Sequence, residues 1–327
     1  MGNAAIAMEY TDFLKQWFDI GKYIATYTSG STGQPKEILL PKADMRRSAA
    51  TAVRMFDLGV GSVVASALPM RSIATKMAVV RAIVAEGEYL PIEASNNLTF
   101  TRRIDLLSIA PSQADALIAR PELQAITGKV LIGGAALSTA RREALLRIGY
   151  DIYETYGMTE TCSNVALRHG DDECFTANPD ISFSLDSRGC LVVHAPGYSF
   201  DGIATNDVAH LQSPVKFTLL GRYDGAINSG GIKLFPEDLE RELAHIVRIP
   251  FYIVGVPDDK WGEVAAMVVE GNDKDARWWA NELAAKMADG RRRPKYVMAM
   301  PQFERTATGK TRRIAPDSPR FATNAKA

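Results

Sequence analysis

The sequence predicts an α/β large domain, built from a parallel sheet with helices plus an antiparallel β subdomain, and a small α+β domain after it. Two observations predict this class. Apolar segments with β character alternate with helix-like segments as far as about residue 157, which is typical of a parallel sheet. Beyond about Asn164, apolar segments are separated by turn sequences, which favours antiparallel pairing. A chain of 327 residues is long enough for two such domains.

The charge balance and the cysteine content argue against several classes of protein. The sequence has 38 Lys and Arg against 38 Asp and Glu, so no overall field attracts it to nucleic acid or to an anionic membrane. Its three cysteines form no close pair, which argues against a disulfide framework or a structural zinc site. No segment reaches the roughly 18 apolar residues that span a bilayer, and the N-terminus does not resemble a secretory signal. We therefore expect a soluble cytoplasmic protein with no membrane span and no nucleic-acid partner.

The elements of the large domain follow from the spacing of its apolar residues. Strands are predicted after a short helix at 10–18, namely at 23–28, 63–68, 90–93, 106–110, 130–133 and 152–156. Helices between them are predicted at 43–56, 73–84 and 139–148. Segments 181–185 and 190–194 then flank the turn sequence Asp186-Ser187-Arg188-Gly189, which predicts a β-hairpin. The connections after the strands contain Gly, Ser and Pro, and α/β sheets usually bind their ligands at such connections.

A domain boundary is expected at Arg222-Tyr223-Asp224-Gly225, which gives a large domain over 1–222 and a small domain over 223–327. In the small domain, a proline near the first turn and acidic residues at the N-terminal end predict a helix at 236–247. The other predicted elements there are strands at 252–256 and 264–269 and a helix at 275–287. The tail after Ala315 is expected to fray.

The strongest local motif is a loop rich in Gly, Ser and Thr directly after the first predicted strand. It reads Tyr27-Thr28-Ser29-Gly30-Ser31-Thr32-Gly33-Gln34-Pro35-Lys36. Glycines let the backbone turn its N–H groups inward, hydroxyls add donors and one Lys adds charge, a combination that suits a polyphosphate. Pro35 stands where a Walker A loop has its second Gly, so that motif is not matched. On composition alone, an ordinary surface loop explains the segment equally well.

Two further motifs follow predicted strands of the same sheet. In Tyr156-Gly157-Met158-Thr159-Glu160-Thr161, Glu160 could bind Mg²⁺ and Thr159 could donate to a phosphate oxygen. A helix N-cap followed by an acidic first turn explains the hexapeptide equally well. The other motif, Gly133-Gly134-Ala135, is compatible with any tight turn from a strand to a helix.

The last motifs lie at and beyond the expected boundary. Gly221-Arg222-Tyr223-Asp224-Gly225 is followed by Asn228-Ser229-Gly230-Gly231-Ile232-Lys233, and Asp207 upstream could accept hydrogen bonds from ribose hydroxyls. Near the end, Thr306-Ala307-Thr308-Gly309-Lys310 places a Lys on a Gly-bearing loop. Each of these segments, taken alone, is explained by an ordinary surface loop.

In this order, the motifs resemble those of the adenylate-forming acyl-CoA synthetase superfamily. The similarity extends over residues 27–314. The short stretch before Tyr27 and the sequence INSGGIKL make the resemblance strongest to the o-succinylbenzoate CoA ligases of menaquinone biosynthesis. The resemblance implies that a carboxylate attacks the α-phosphorus of ATP, that pyrophosphate leaves, and that the thiol of CoA then takes the acyl group. It also implies ATP, Mg²⁺ and CoA as cofactor and co-substrates, and a small-molecule carboxylic acid as the partner.

The resemblance also assigns roles residue by residue. The implied ATP-binding residues are Thr28, Ser29, Gly30, Ser31, Thr32, Gly33, Lys36, Gly133, Gly134, Ala135, Tyr156, Gly157, Asp207 and Arg222. The implied catalytic residues are Lys310, Thr159 and Glu160, and Glu160 is also the implied magnesium ligand. Asp224 would be the hinge of a mobile C-terminal lid domain, and Gly230, Gly231 and Lys233 would line the route of the CoA arm.

The acyl pocket departs from the family pattern. Many members carry a His shortly after a Leu-Pro pair, but here the sequence continues Leu68-Pro69-Met70-Arg71 without one. Lys76 and Arg81 lie five residues apart in the predicted helix, about 140° around its axis, so both cannot face one cleft equally well. Either each one snorkels or pairs with a carboxylate, or one of them, with Lys76 favoured, meets the second carboxylate of a dicarboxylic aromatic substrate.

Three function hypotheses remain open. The first is an o-succinylbenzoate CoA ligase, and the second is the same chemistry on another acid or on an acyl carrier protein. The third is a nucleotide-binding protein without catalysis. The four histidines are far apart and no dinucleotide fingerprint follows a strand, so a hydrolytic triad and an oxidoreductase are not favoured. A homo-oligomer is possible.

Overall fold

The computed structural model describes residues 2–27, 36–305, 311–315 and 321–322. In its described residues the chain divides into two compact units. The first unit comprises 1–184, 193–203 and 212–217, and the second comprises 185–192, 204–211 and 218–327. The second unit therefore includes two segments that precede residue 222, and the single boundary expected there stays a prediction.

The described elements up to the last strand before the second unit's main segment form one long series. They are α1 (Gly2–Phe18), β1 (Tyr23–Tyr27), β2 (Glu37–Pro41), α2 (Lys42–Phe56), β3 (Val63–Ser66), α3 (Ile73–Val84), β4 (Glu88–Pro91), β5 (Ile104–Ile109), α4 (Ala114–Ala119), β6 (Thr127–Ile132), α5 (Thr139–Ile148), β7 (Asp151–Met158), β8 (Ser163–His169), β9 (Phe175–Ala177), β10 (Ser182–Leu185), β11 (Cys190–His194), β12 (Ile203–Ser213) and β13 (Lys216–Arg222).

Eleven of these strands form one mixed sheet, and the predicted change of texture is visible in it. The strand order is β10-β11-β12-β13-β9-β8-β7-β6-β5-β3-β4. Strands β4, β3, β5, β6 and β7 pair in parallel, as the alternation of strand and helix predicts. From β7 onward, β8 and β9 pair antiparallel, and β13 joins β9 in the same sense. The predicted α/β class with an antiparallel subdomain is thereby confirmed.

One predicted strand lies elsewhere. The segment 23–28 was expected to open the parallel sheet, but β1 pairs antiparallel with β2 in a separate two-stranded sheet, in register from Tyr23↔Pro41 to Tyr27↔Glu37. The prediction was wrong because β2, a short apolar strand, was not recognised. A partner close in sequence closes a short loop, which costs less chain entropy than pairing with a distant strand.

Helix α3 is buried along most of its length, which explains its nearly uniform apolar sequence. Its N-terminus is capped by Ser72, whose hydroxyl accepts a hydrogen bond from the backbone N–H of Thr75 at 3.2 Å. The helix packs against α2 on one side and against β3, β4 and β5 on the other. Its two basic residues therefore lie in the interior, which is costly unless each finds hydrogen-bond partners.

The second unit contains the predicted α+β arrangement. Its described elements are β14 (Ile227–Ser229), β15 (Ile232–Leu234), α6 (Pro236–Leu243), β16 (Phe251–Asp258), β17 (Gly262–Glu270), α7 (Asp273–Lys286), β18 (Tyr296–Met300) and β19 (Phe321–Ala322). Strand β17 pairs antiparallel with β14 and β16 and parallel with β18. The apolar faces of α6 and α7 pack on this sheet through Leu239, Leu243 and Leu283. Helix α6 ends at Leu243, four residues before its predicted end.

Within the described residues, no helix combines the length and the apolar character that crossing a membrane requires.

A buried ion cluster fixes the connection between α5 and β7. Glu154 of β7 is 5% exposed, and its two carboxylate oxygens accept hydrogen bonds from Arg168 Nη2 at 2.9 and 2.8 Å. Arg142 of α5 also donates to this carboxylate, and to the carbonyl oxygens of Gly170 and Asp172 at 3.1 Å. Burial lowers the pKa of the Arg142 guanidinium to about 10. One carboxylate thus compensates two desolvated cations.

Replacing Glu154 with alanine should therefore destabilise the protein strongly. Two guanidinium groups would lose their shared carboxylate, and breaking a buried ion pair costs about 3–5 kcal/mol. Urea denaturation followed by circular dichroism measures the free energy of unfolding. The matched control is Glu88→Ala, which removes the exposed ion pair with Arg102 and should shift the urea midpoint little. Equal shifts for the two variants would contradict this account of the cluster.

Candidate active site

The parallel pairing of β6 and β7 brings two predicted motifs to one edge of the sheet. The register runs from Lys129↔Asp151 to Ile132↔Glu154, so both strands reach that edge together. Gly133-Gly134-Ala135 follows β6, and Thr159 with Glu160 follows β7. Gly133 donates its N–H to the carbonyl oxygen of Ile109 at 3.2 Å, which holds the turn against β5. The structure thus brings together the segments that the resemblance assigns to adenine and to the α-phosphate.

Gly133 packs directly on β7. A Cβ atom at this position would lie 2.1 Å from Thr155 Oγ1, closer than van der Waals contact allows. The missing side chain lets the turn after β6 lie against the neighbouring strand, two residues upstream of Gly157. Close approach therefore explains the first glycine of this motif.

Thr159 and Glu160 lie in a tight turn between β7 and β8. Thr161 is buried and organises the turn, because its hydroxyl accepts from Met158 N at 3.0 Å and lies 2.9 Å from the carbonyl oxygen of Ser163, to which it can donate. The alternative of a helix N-cap at this hexapeptide is wrong, since a β-strand follows it. In the described part of the chain, neither the Thr159 nor the Glu160 side chain forms a hydrogen bond or ion pair. Both are therefore available to a ligand.

The residues on either side of these two are engaged in packing. The Tyr156 ring is 7% exposed and meets the rings of Phe175, Phe183 and Phe217 at centroid distances of 5.1–6.3 Å. Its predicted contact with adenine stays a prediction. Cys162 is fully buried, and burial raises the pKa of its thiol to about 12. It acts as a packing residue, since a thiol that stays protonated is a poor nucleophile.

A second group of predicted residues meets within the second unit. Arg222 donates from Nε and Nη2 to the Asp224 carboxylate at 2.9 Å, and Nη1 lies 3.5 Å from Asp207 Oδ1. The hydrogen bond from Arg222 is the main reason that the pKa of Asp224 lies below its usual value. The predicted ribose residues and the predicted hinge therefore share one guanidinium.

The residues predicted for the CoA route lie at the β14–β15 hairpin. Gly230 and Gly231 form its turn, and Gly230 N donates to the carbonyl oxygen of Trp261 at 3.0 Å. Lys233 lies on β15 with its ammonium nitrogen 3.7 Å from the centre of the Tyr223 ring, within the range of a cation–π interaction. The structure thus brings Lys233 close to the hinge sequence.

Two predicted loops fall wholly or partly outside the described residues. Thr28, Ser29, Gly30, Ser31, Thr32 and Gly33 lie outside them, and so does Lys310. Their flanks are described: β1 and β2 pair as far as Tyr27↔Glu37, and the Tyr27 hydroxyl donates to Glu37 Oε1 at 3.0 Å. Lys36 is exposed at the start of this second flank. The ends of the predicted phosphate loop are therefore held together as a strand pair.

Lys76 and Arg81 find different partners, as the helical geometry predicts. Lys76 is 9% exposed and donates from Nζ to the carbonyl oxygen of Ala25 at 2.9 Å, and burial lowers its pKa. Arg81 is 1% exposed and donates from Nη2 to Asn164 Oδ1 at 2.6 Å, while burial lowers its pKa to about 10. Among the described residues, neither forms an ion pair with a carboxylate. The expectation that each snorkels or pairs with a carboxylate is therefore wrong for Arg81, which is buried against an amide.

The sequence gave no reason to single out Asn164, yet it receives the buried guanidinium of Arg81. It lies on β8, directly beyond the turn with Glu160, and its carbonyl oxygen accepts from Asn178 Nδ2 at 3.0 Å. A polar residue within an otherwise apolar strand segment is the signal that could have identified it.

The chain belongs to the family of AMP-binding enzymes, whose sequence profile matches residues 23–193. An indoleacetate–CoA ligase from Aromatoleum aromaticum is 26% identical over 88% of this chain, and this chain spans 65% of that protein's length. A 2-succinylbenzoate–CoA ligase from Enterococcus faecalis is 25% identical, with coverage of 87% of this chain and 67% of the relative. The solved structure of an acyl-CoA synthetase (AMP-forming)/AMP-acid ligase II-like protein from Dyadobacter fermentans matches with 27% identity and a TM-score of 0.61. That match covers 93% of this chain and 91% of the other.

The close packing of Gly133 can be tested by mutation. Gly133→Ala should lower the free energy of unfolding by about 1–3 kcal/mol, the usual cost of overpacking. Adding Thr155→Ala removes the atom that the new methyl group meets, so the double variant should recover most of the loss. Thermal or urea denaturation measures both. Gly59→Ala, at a position where a Cβ meets nothing within 4 Å, is the control. If Thr155→Ala gives no recovery, the contact does not explain the glycine.

Proposed function

We propose that this protein is an AMP-forming acid–thiol ligase. It joins a carboxylic acid to CoA through an acyl-adenylate made from ATP. The observation that carries the proposal is the turn after β7, where Thr159 and Glu160 lie without protein partners in the described chain, beside the glycine turn after β6. The family match over residues 23–193 includes both turns and supports the same chemistry.

The fit to Mg²⁺ rests on the donor set at this turn. Mg²⁺ in nucleotide sites takes one or two carboxylates together with substrate phosphates, rather than an all-protein cage. Glu160 offers one carboxylate, and the described residues contain no cluster of three or more His, Cys, Asp or Glu that could hold a metal ion. In the proposed site Glu160 would hold the ion, which would neutralise charge on the phosphates.

The proposed reaction divides the remaining roles among this chain's own residues. In the first step an oxygen of the acid attacks the α-phosphorus, and the bond to the pyrophosphate oxygen breaks with its electron pair leaving on pyrophosphate. Thr159 and Lys310 donate to the oxygens on which charge develops, and Asp207 with Arg222 binds the ribose. In the second step the CoA sulfur attacks the acyl carbon, its proton is lost to solvent, and AMP leaves.

We further propose an aromatic dicarboxylic acid of the o-succinylbenzoate type as the substrate. Support comes from the motif INSGGIKL and from the buried ammonium of Lys76, whose described hydrogen bond is to a backbone carbonyl. A desolvated cation without a carboxylate partner suits a substrate carboxylate. The second candidate is another aryl acid, because the indoleacetate ligase is as similar to this chain as the 2-succinylbenzoate ligase.

Pyrophosphate exchange across a panel of acids tests the proposed function. We expect exchange that depends on o-succinylbenzoate, with kcat/KM at least tenfold lower for a benzoylpropionate that lacks the ring carboxylate, because the paired cation would lose its partner. Equal values for the two acids would remove carboxylate recognition from the account. Exchange with indoleacetate alone would favour the second candidate. Exchange with no acid would favour a nucleotide-binding protein without catalysis.

Lys310→Ala should abolish most of the adenylation rate and spare ATP binding. A full charge about 4 Å from the reacting phosphate, at an effective dielectric constant near 20, contributes at most about 4 kcal/mol, or roughly a thousandfold in rate. Pyrophosphate exchange measures the rate, and calorimetric titration with ATP measures binding. Lys286→Ala, which removes a surface lysine of α7, is the control. A near-normal rate for Lys310→Ala would remove this residue from the proposed role.

A further inference from the structure

The segment that follows Lys310 is held at its base by backbone pairing. Arg305 and Thr311 form an antiparallel bridge, and Arg312 N donates to the carbonyl oxygen of Glu304 at 2.8 Å. The two ends of the stretch 306–310 are therefore joined. Because Lys310 directly precedes this bridge, whatever fixes residues 311–314 also limits where Lys310 can lie.

Arg313 connects this base to helix α6. Its Nη2 donates to Glu240 Oε2 at 2.7 Å, and its Nη1 donates to Glu237. The two glutamates are three residues apart, so they share one face of the helix and one planar guanidinium can bridge both. The next residue is fixed as well, because the Tyr252 hydroxyl donates to the carbonyl oxygen of Ile314 at 2.7 Å. Two consecutive residues after Lys310 are thus anchored, one to α6 and one to β16.

The glutamates of this contact are themselves held in place. Glu240 Oε1 accepts from Ile253 N at 2.8 Å, and burial raises the pKa of Glu240 to about 7. A carboxylate so desolvated depends on its cationic partner to stay charged. Glu237 faces the end of β13, where a Cβ on Gly221 would lie 2.6 Å from its Oε2. Arg313 therefore acts on a helix that packs beside the residue preceding Arg222.

We propose that Arg313 is a positioning residue, whose bridge across Glu237 and Glu240 fixes the segment carrying Lys310 to α6 for the adenylation step. The inference rests on the proposed function, in which Lys310 donates to the reacting phosphate. Holding a catalytic group near its working position reduces the entropy that must be lost in each turnover. The neighbouring Arg312 lacks this arrangement, because its guanidinium lies 3.9 Å from Glu304 and both side chains are about 60% exposed.

Pyrophosphate exchange by four variants tests the positioning role. Arg313→Ala should lower kcat about 10–100-fold while the KM for ATP stays within about twofold, because the residue acts on the rate through Lys310. Arg313→Lys, which keeps the charge but loses the planar fork, should fall in between. Arg312→Ala is the matched control and should keep the wild-type rate. In Lys310→Ala protein, adding Arg313→Ala should cost nothing further, because the group that it positions is gone.

Several outcomes would overturn the proposal. They are a wild-type rate for Arg313→Ala, an equal loss for Arg312→Ala, or an additive loss in the Lys310→Ala background. If Arg313→Ala does not fold, Arg313→Lys and Glu237→Gln carry the same comparison.

Hydrogen exchange separates this inference from the proposed function. Backbone amides of residues 304–314 should exchange faster in Arg313→Ala than in the wild type or in Arg312→Ala, whatever the activity. Unchanged exchange in Arg313→Ala overturns the anchoring itself. Wild-type protein that exchanges pyrophosphate with no acid overturns the proposed function instead, and with it the catalytic part of the inference.

Discussion

The parallel register between β6 and β7 is the constraint on which the candidate site depends. It brings the ends of the two strands to the same edge and sets Gly133 against Thr155. The turn that follows β7 then presents Thr159 and Glu160 beside the glycine turn. A one-residue slip in this pairing would invert the facing of every side chain on β7, including the buried Glu154. Architecture and candidate chemistry therefore rest on the same strand pair.

Buried charge is the second theme of the first unit. Glu154 satisfies two arginines at the far end of the same strand, and this closed cluster is structural in character. Lys76 and Arg81 differ from it, because each meets a neutral acceptor, a backbone carbonyl in one case and an amide oxygen in the other. Hydrogen bonds to neutral acceptors stabilise a buried cation less than a carboxylate does. The proposed use of Lys76 as a reader of an acidic substrate follows from that difference.

The sequence predicted the parts of the fold that repeat a simple pattern. Alternation of strand and helix identified the parallel sheet from β3 to β7, and turn sequences identified the antiparallel strands after it. The placement of β1 could not be predicted, because it depends on the short strand β2. The ends of β7 and α6 also differ from the predicted ends, since capping and tertiary packing decide where an element stops.

For the site, local motifs identified residues that contact ligands, whereas long-range partners remained hidden. The separation of Lys76 from Arg81 followed from helical geometry alone. The pairing of Arg81 with Asn164, and of Arg313 with α6, joins residues far apart in the sequence, so no local pattern reveals it. A crystal structure with ATP and Mg²⁺ tests the central claim most directly. We predict the triphosphate beside the turn with Thr159 and Glu160, with the metal ion on Glu160; a nucleotide bound elsewhere, with this turn empty, would contradict the account.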